Sequence, residues 1–302
     1  MPKAKPLDLQ SLLSSWQLAL RSERKSPATL KVYTDGITAF LRWCERTGTP
    51  AALTRNAVQA FTAELLDAGA EPATARSRQL SLKRFSAWLT EEGELDADPL
   101  LGLKPPKLDT KVTDALSNDE LKALIKSCSG KSLRERRDEA IVRLMTETGM
   151  RAGEVVGLQL ADLDLSRGLA TVTRGKGGKG RIVPFGSQTA TALDRYIRTR
   201  RTHVRADSPD LWVGDRGKGF SYYGLHAALR HRARIAGIER FHPHLLRHTA
   251  ATRWLSAGGS EGGLMAVAGW ARRDMIDRYT AATASERAAA EARNLNLGDL
   301  GV

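Results

Sequence analysis

Cysteine is nearly absent: the chain of 302 residues has two, Cys44 and Cys128, too far apart for a C-x-x-C site. That excludes a disulfide framework and a thiolate metal centre, and it fits a reducing compartment. Aromatic residues make up only 6% of the chain. No apolar run reaches the roughly 18 residues that a membrane span requires. The N-terminal stretch MPKAKPLDLQ has no apolar core of signal-peptide length. A cytoplasmic protein with no membrane partner is expected. Internal repeats and low-complexity tracts are missing too, which excludes solenoid and collagen-like architectures. Acidic residues are the scarcer charge, 34 Asp and Glu against 47 Lys and Arg, a formal net charge of +13.

What is present is an ordinary globular composition, 41% hydrophobic and 27% charged, long enough for about two domains. The charge is uneven. Residues 1–110 hold 15 basic and 13 acidic side chains, whereas residues 111–302 hold 32 and 21. A phosphate-rich partner is the leading reading, and the second part of the chain is the expected binder.

The fold class expected is mainly α with a small β-hairpin. From Leu9 to about Gly93, apolar residues recur at three-and-four spacing in four stretches, LQSLLSSWQLAL, LKVYTDGITAFLRW, AVQAFTAELLDAG and LSLKRFSAWLTEEG, which reads as a compact four-helix domain over residues 1–103. Ser26 or Thr29 caps the second helix, with Pro27 where a missing N–H is tolerated. Pro99, Pro105 and Pro106 then break the periodicity, and residues 104–113 read as a linker. A second, mixed α/β domain fills residues 114–302. It opens with Ser117 and Glu120 at capping-box spacing. The β-branched runs GLATVTRG and RIVPFG flank KGGKG, a hairpin with lysines at its tip. Helices follow, including one at ERAAAEAR near the end.

Four short segments of the basic half carry candidate chemistry. They are TGMRAGEVVGL with Arg151, TRGKGGKGRIVP with Lys176 and Lys179, HPHLLRHTAATRWL with His244, Arg247 and His248, and AGWARRDMIDRYTAAT with Trp270 and Tyr279. Each alone has a plain reading. Arg151 pairs with Glu154 one helical turn on; the two lysines are solvated tip charges; Trp270 is core; Tyr279 is a buried residue with a bonded hydroxyl. The histidines have no cysteine or convergent carboxylate beside them, so no metal site is assigned.

Together and in this order, the segments resemble the tyrosine recombinase (phage integrase) family over residues 115–280. The resemblance implies a helical core-binding, SAM-like domain followed by a catalytic domain, the two forming a C-shaped clamp on duplex DNA. It implies Arg151, Lys176, His244, Arg247, Trp270 and Tyr279 as catalytic residues, with Glu154 and His248 supporting them. Trp270 stands where His is commoner; an indole N–H donates but cannot shuttle a proton, so no acid-base role falls there. Candidate DNA contacts are Arg76, Arg78, Lys83, Arg84, Lys179 and Arg181. The resemblance further implies double-stranded DNA bearing attachment or core sites as substrate, a homotetramer in synapsis, accessory DNA-bending proteins, no ATP and no cofactor. The roughly one hundred residues before the linker leave no space for an arm-binding module, and the tail helix is expected to dock on a neighbouring subunit.

The chemistry needs these residue types. Attack on a phosphodiester builds charge on its non-bridging oxygens, which a guanidinium meets with two parallel hydrogen bonds. His244 and Arg247, three apart, share a helical face. A phenol with a pKa of about 10 needs a base, and His244 is the motif's choice. The leaving 5′-oxygen needs an acid, for which Lys176 is preferred to Lys179. Alternatives are a chromosome-dimer resolvase or transposon recombinase of the same chemistry, a non-catalytic DNA-binding regulator, and a metal-dependent nuclease.

Overall fold

The computed structural model describes residues 7–108, 114–173, 180–280 and Arg293. The chain divides into two compact units, Met1–Lys111 and Val112–Val302. The hairpin tip with Lys176 and Lys179, part of the linker, and all of the ERAAAEAR segment but Arg293 lie outside the described residues.

The first unit holds four helices, α1 (Leu9–Ser22), α2 (Pro27–Thr47), α3 (Arg55–Asp67) and α4 (Pro72–Glu91). Their starts follow local chemistry. The Asp8, Ser26 and Thr54 side chains accept backbone N–H groups of the first turns, and Pro27 and Pro72 open α2 and α4, positions whose N–H would be unpaired anyway. Of the two caps open for α2, Ser26 is the one used. The apolar stripes meet in one core that includes Trp16, Ile37, Phe40, Phe61, Leu82, Phe85 and Leu89.

The second unit begins with α5 (Asn118–Ser127) and α6 (Leu133–Thr148), each opened by a complete capping box, Ser117 with Glu120 and Ser132 with Glu135. Then come α7 (Ala152–Val156) and the strands β1 (Leu163–Asp164), β2 (Leu169–Val172) and β3 (Arg181–Pro184). The strands form an antiparallel sheet in the order β1-β2-β3, with Ala170 opposite Val183 in the hairpin and Leu163 opposite Ala170 beyond it. β1 was not expected; two residues are too few to show a period. Helices α8 (Ser187–Arg200), α9 (Tyr222–Ile235), α10 (Pro243–Ser256), α11 (Glu261–Ala268) and α12 (Asp274–Thr280) complete the unit.

Its main core is built on α6, with Ile141, Leu144 and Met145 among residues such as Leu193, Tyr196, Trp212 and Leu246. Beside it lies a buried ionic group that the sequence did not reveal: Asp138 accepts from Arg137 and from Arg232, two guanidiniums brought from α6 and α9. Arg200 is likewise buried and spends its donors on loop carbonyls, among them those of Leu211, Ser208 and Asp210, so several of the basic residues serve the fold rather than a partner. Both cysteines are buried, and burial pushes the Cys128 thiol up to about 12. No described helix is long and apolar enough to cross a membrane.

Candidate active site

Helix α6 stops at Gly149, whose φ of +62° is in the left-handed region, cheap only for glycine. The reversal places Arg151 at the N-cap of α7. There the Glu154 carboxylate accepts the Arg151 backbone N–H at 2.9 Å and its Nη1 at 2.8 Å. The pairing expected as the plain reading of Arg151 is therefore real, and it fixes the guanidinium rather than competing with a functional role. Arg181 reaches the same carboxylate end-on, Nη1 to Oε1 at 3.1 Å and Nη2 to Oε2 at 2.8 Å. Burial raises the Glu154 pKa, but hydrogen bonds and charge from Arg181 and Arg151 outweigh it and hold the group at about 2. At neutral pH it is ionised.

Helix α10 carries His244, Arg247 and His248 at spacings of three and four, which puts them on one face. Arg247 is 2% exposed. Its Nη1 donates to the Gly149 carbonyl at 2.5 Å and its Nη2 to the Ala268 carbonyl at 2.8 Å. Burial, and then the charge of Arg151, lowers its pKa to about 10, which leaves it protonated at neutral pH. A cleft of about 480 Å³ is lined by Arg151, Glu154, His244 and Arg247 together with Tyr222 and His226 of α9. Two guanidiniums, those of Arg151 and Arg181, bind the Glu154 carboxylate, and the Arg247 guanidinium is close enough to feel the charge of all three, so this corner carries surplus positive charge and suits an anion.

Helix α11 ends at Gly269, again left-handed at φ +65°, and the chain turns into Trp270. The Gly269 carbonyl accepts Arg151 Nη2 at 3.3 Å. Trp270 is buried, with Arg247 Cζ 5.1 Å from its ring centre. Its Nε1 is buried and has no hydrogen-bond partner among the described residues, a cost normally met by some acceptor. The Tyr279 ring stacks on Trp270 with centroids 5.4 Å apart. Its hydroxyl shares a hydrogen bond with His248 Nδ1, and the His244 and His248 rings meet edge to face at 4.5 Å. Among the described residues no group of three or more His, Cys, Asp or Glu side chains could hold a metal ion.

Residues 114–286 match the phage integrase family, and residues 12–93 match the phage integrase N-terminal SAM-like domain. The chain belongs to the phage integrase family. This tyrosine recombinase is 34% identical over 194 residues to tyrosine recombinase XerC of Corynebacterium glutamicum, a match spanning 64% of this chain but only 62% of that relative. It is 33% identical over 246 residues to tyrosine recombinase XerC of Pseudomonas fluorescens, covering 79% and 80%. Among solved structures it shares its fold with the XerH site-specific recombinase in a post-cleavage complex with palindromic difH substrate, at a TM-score of 0.72, 18% identity, and 93% and 84% coverage.

In this recombinase the tertiary structure brings Arg151, Glu154, His244, Arg247, His248, Trp270 and Tyr279 into one neighbourhood. It alters two assignments. The phenol is hydrogen-bonded to His248, four residues on from His244 on α10, where the sequence put the base at His244. Arg181, expected among the DNA contacts, turns inward: its side chain is 11% exposed, and its Nε donates to the Val267 carbonyl at 2.8 Å. On α4, Arg76 and Arg84 are exposed and Arg78 is half-buried, while the Lys83 ammonium donates to the Leu103 carbonyl at 2.8 Å. Tyr222 and His226 line the cleft without having been singled out. They precede the His-x-x-Arg segment on another helix, and no motif marks them.

Proposed function

We propose that this site-specific recombinase cleaves and rejoins duplex DNA through a 3′-phosphotyrosyl ester on Tyr279. The phenolic oxygen attacks the phosphorus, a P–O bond to tyrosine forms, and the bond to the 5′-oxygen breaks. His248, already on the phenolic oxygen, takes its proton. Arg151 and Arg247 receive the charge that grows on the non-bridging oxygens, and the unpartnered Trp270 N–H adds a neutral donor. His244, exposed on the cleft wall beside the two arginines, donates to the same phosphate. Lys176 protonates the departing 5′-oxygen. Attack by a 5′-hydroxyl from another duplex reverses the ester and exchanges strands, with the bond energy conserved so that no ATP is spent.

The observation that carries this reading is the convergence of the Tyr279 hydroxyl, the His248 imidazole, the orphaned Trp270 donor and the buried Arg247 guanidinium from two helices, α10 and α12, and the turn after α11. Around it, the substrate is double-stranded DNA in the cytoplasm, gripped in part by Arg76, Arg78, Arg84 and Lys83 of the helical unit and Lys179 of the hairpin. Two duplexes are synapsed by a homotetramer. The relatives' XerC names favour chromosome-dimer resolution over phage integration as the biological role. A purely DNA-binding regulator is disfavoured because it would have no use for a phenol held on an imidazole.

The test is incubation with nicked half-site DNA, which traps the ester because the released strand diffuses away, followed by mass mapping of the modified peptide. A phosphonucleotide on Tyr279, lost in Tyr279→Phe while DNA binding is kept, is the expected result. An adduct on another residue refutes the assignment.

A further inference from the structure

Arg181 is the first residue of β3, and its guanidinium is one of the most heavily engaged groups near the cleft. Nη1 and Nη2 take both oxygens of Glu154, the carboxylate that also holds Arg151 by its backbone N–H and by Nη1. The third direction, Nε, is given to the carbonyl of Val267, in the last turn of α11. Two residues on, Gly269 lies against the same guanidinium: a Cβ there would stand 3.0 Å from Arg181 Cζ and Nη1. The carbonyl of Gly269 accepts Arg151, and the carbonyl of Ala268 accepts Arg247. Trp270 follows directly. One planar cation thus touches the support of the first arginine and the turn that supports both arginines and presents the indole.

We propose that Arg181 is a positioning residue for the phosphate clamp: it registers the Arg151–Glu154 pair against the turn at residues 267–270, and does not itself contact DNA. The inference rests on the reading of Arg151, Arg247 and Trp270 as the groups that meet the scissile phosphate. Its physical basis is geometric. A guanidinium fits a carboxylate end-on through its two Nη groups while its Nε–H points elsewhere, so a single side chain fixes the distance between two backbone segments. A lysine in its place keeps the charge but offers a point contact, and cannot hold both oxygens and Val267 in one plane. Its Nε and the facing N–H of each Nη are already committed to Val267 and to Glu154, so the fork it would offer a DNA phosphate is occupied.

Full-length Arg181→Lys and Arg181→Ala are compared with the wild-type chain on nicked half-site DNA, once with an ordinary scissile phosphate and once with a methylphosphonate there. The methylphosphonate lacks the negative oxygen that the clamp exists to hold. Both variants are expected to bind with an unchanged dependence on salt, to form the tyrosyl adduct on the order of a hundredfold more slowly on the ordinary diester, and to lose most of that defect on the methylphosphonate. Combining Arg181→Lys with Glu154→Gln should slow the reaction no further than Glu154→Gln alone, since both act through one contact. A salt slope flattened by about one phosphate with normal cleavage once bound would make Arg181 a DNA contact and overturn the proposal. Equal slowing on both substrates would overturn it as well, because general loosening of the fold does not distinguish a charged from a neutral phosphorus centre. If the wild-type chain forms no adduct at Tyr279, the underlying reading fails and the inference with it; the other two results sink the inference alone.

Discussion

Replacing Glu154 by Gln removes the negative charge that Arg151 and Arg181 share, while keeping the side chain's size and one acceptor oxygen. In the folded chain the carboxylate is 5% exposed and titrates at about 2, against an ordinary 4.5: burial works to raise it, and the Arg181 and Arg151 contacts more than offset that. The gap of about 2.5 pH units corresponds to roughly 3 kcal/mol of folding free energy. Because the folded value is the lower one, this contribution is fully present above pH 4.5 and is lost as pH falls towards 2. Wild-type and Glu154→Gln chains should therefore differ in stability by about 3 kcal/mol from about pH 6 upward and by less than half of that near pH 3. Urea unfolding of the two proteins across that range measures it. The difference matters rather than either curve, since Glu120, also held at about 2 by Arg240 and the Ser117 cap, titrates in both. A gap that stays constant with pH, or one below about 1 kcal/mol at neutral pH, would show that the carboxylate is not tied as described.

Arg247→Ala should lower the single-turnover rate of adduct formation by about 10²–10³, the usual cost of losing a preorganised donor to a developing oxyanion; a rate within tenfold of wild type in a folded variant would remove Arg247 from the clamp. His248→Ala should slow adduct formation more than His244→Ala does, because His248 holds the phenol, and the opposite order in quench-flow assays would return the base role to His244. Lys176→Ala should regain activity on a 5′-bridging phosphorothiolate, whose sulfur leaves without protonation, whereas Lys179→Ala should need no such rescue; the reverse pattern would exchange the two lysines.

Much of the fold was legible because its determinants are local. The four amphipathic stretches of the first unit, the Ser26 and Ser117 caps and the β2–β3 hairpin each depend on residues within a few positions of one another. β1 escaped because a two-residue strand is defined by its partner, Leu169–Ala170, and not by its own pattern. The ion cluster of Arg137, Asp138 and Arg232 escaped for the related reason that 94 positions separate its carboxylate from Arg232; in composition these residues look like any other surface charges.

The sequence by itself determined which chemical groups are available: two arginines, a hairpin lysine, a His-x-x-Arg helix, an indole and a phenol, in an order that marks the family. It also determined that His244, Arg247 and His248 share a helix face, since 3.6 residues per turn allows nothing else. Which imidazole meets the phenol, and which arginine faces inward, was decided only by tertiary structure. His248 and Tyr279 are 31 positions apart, and Arg181 and Glu154 are 27 apart. Contacts of that kind are set by how α10 packs on α12 and where β3 runs beside α7 and α11. Charge, spacing and propensity constrain each element separately, but the burial of Arg181 against Glu154 and Val267 exists only once those elements close on one another.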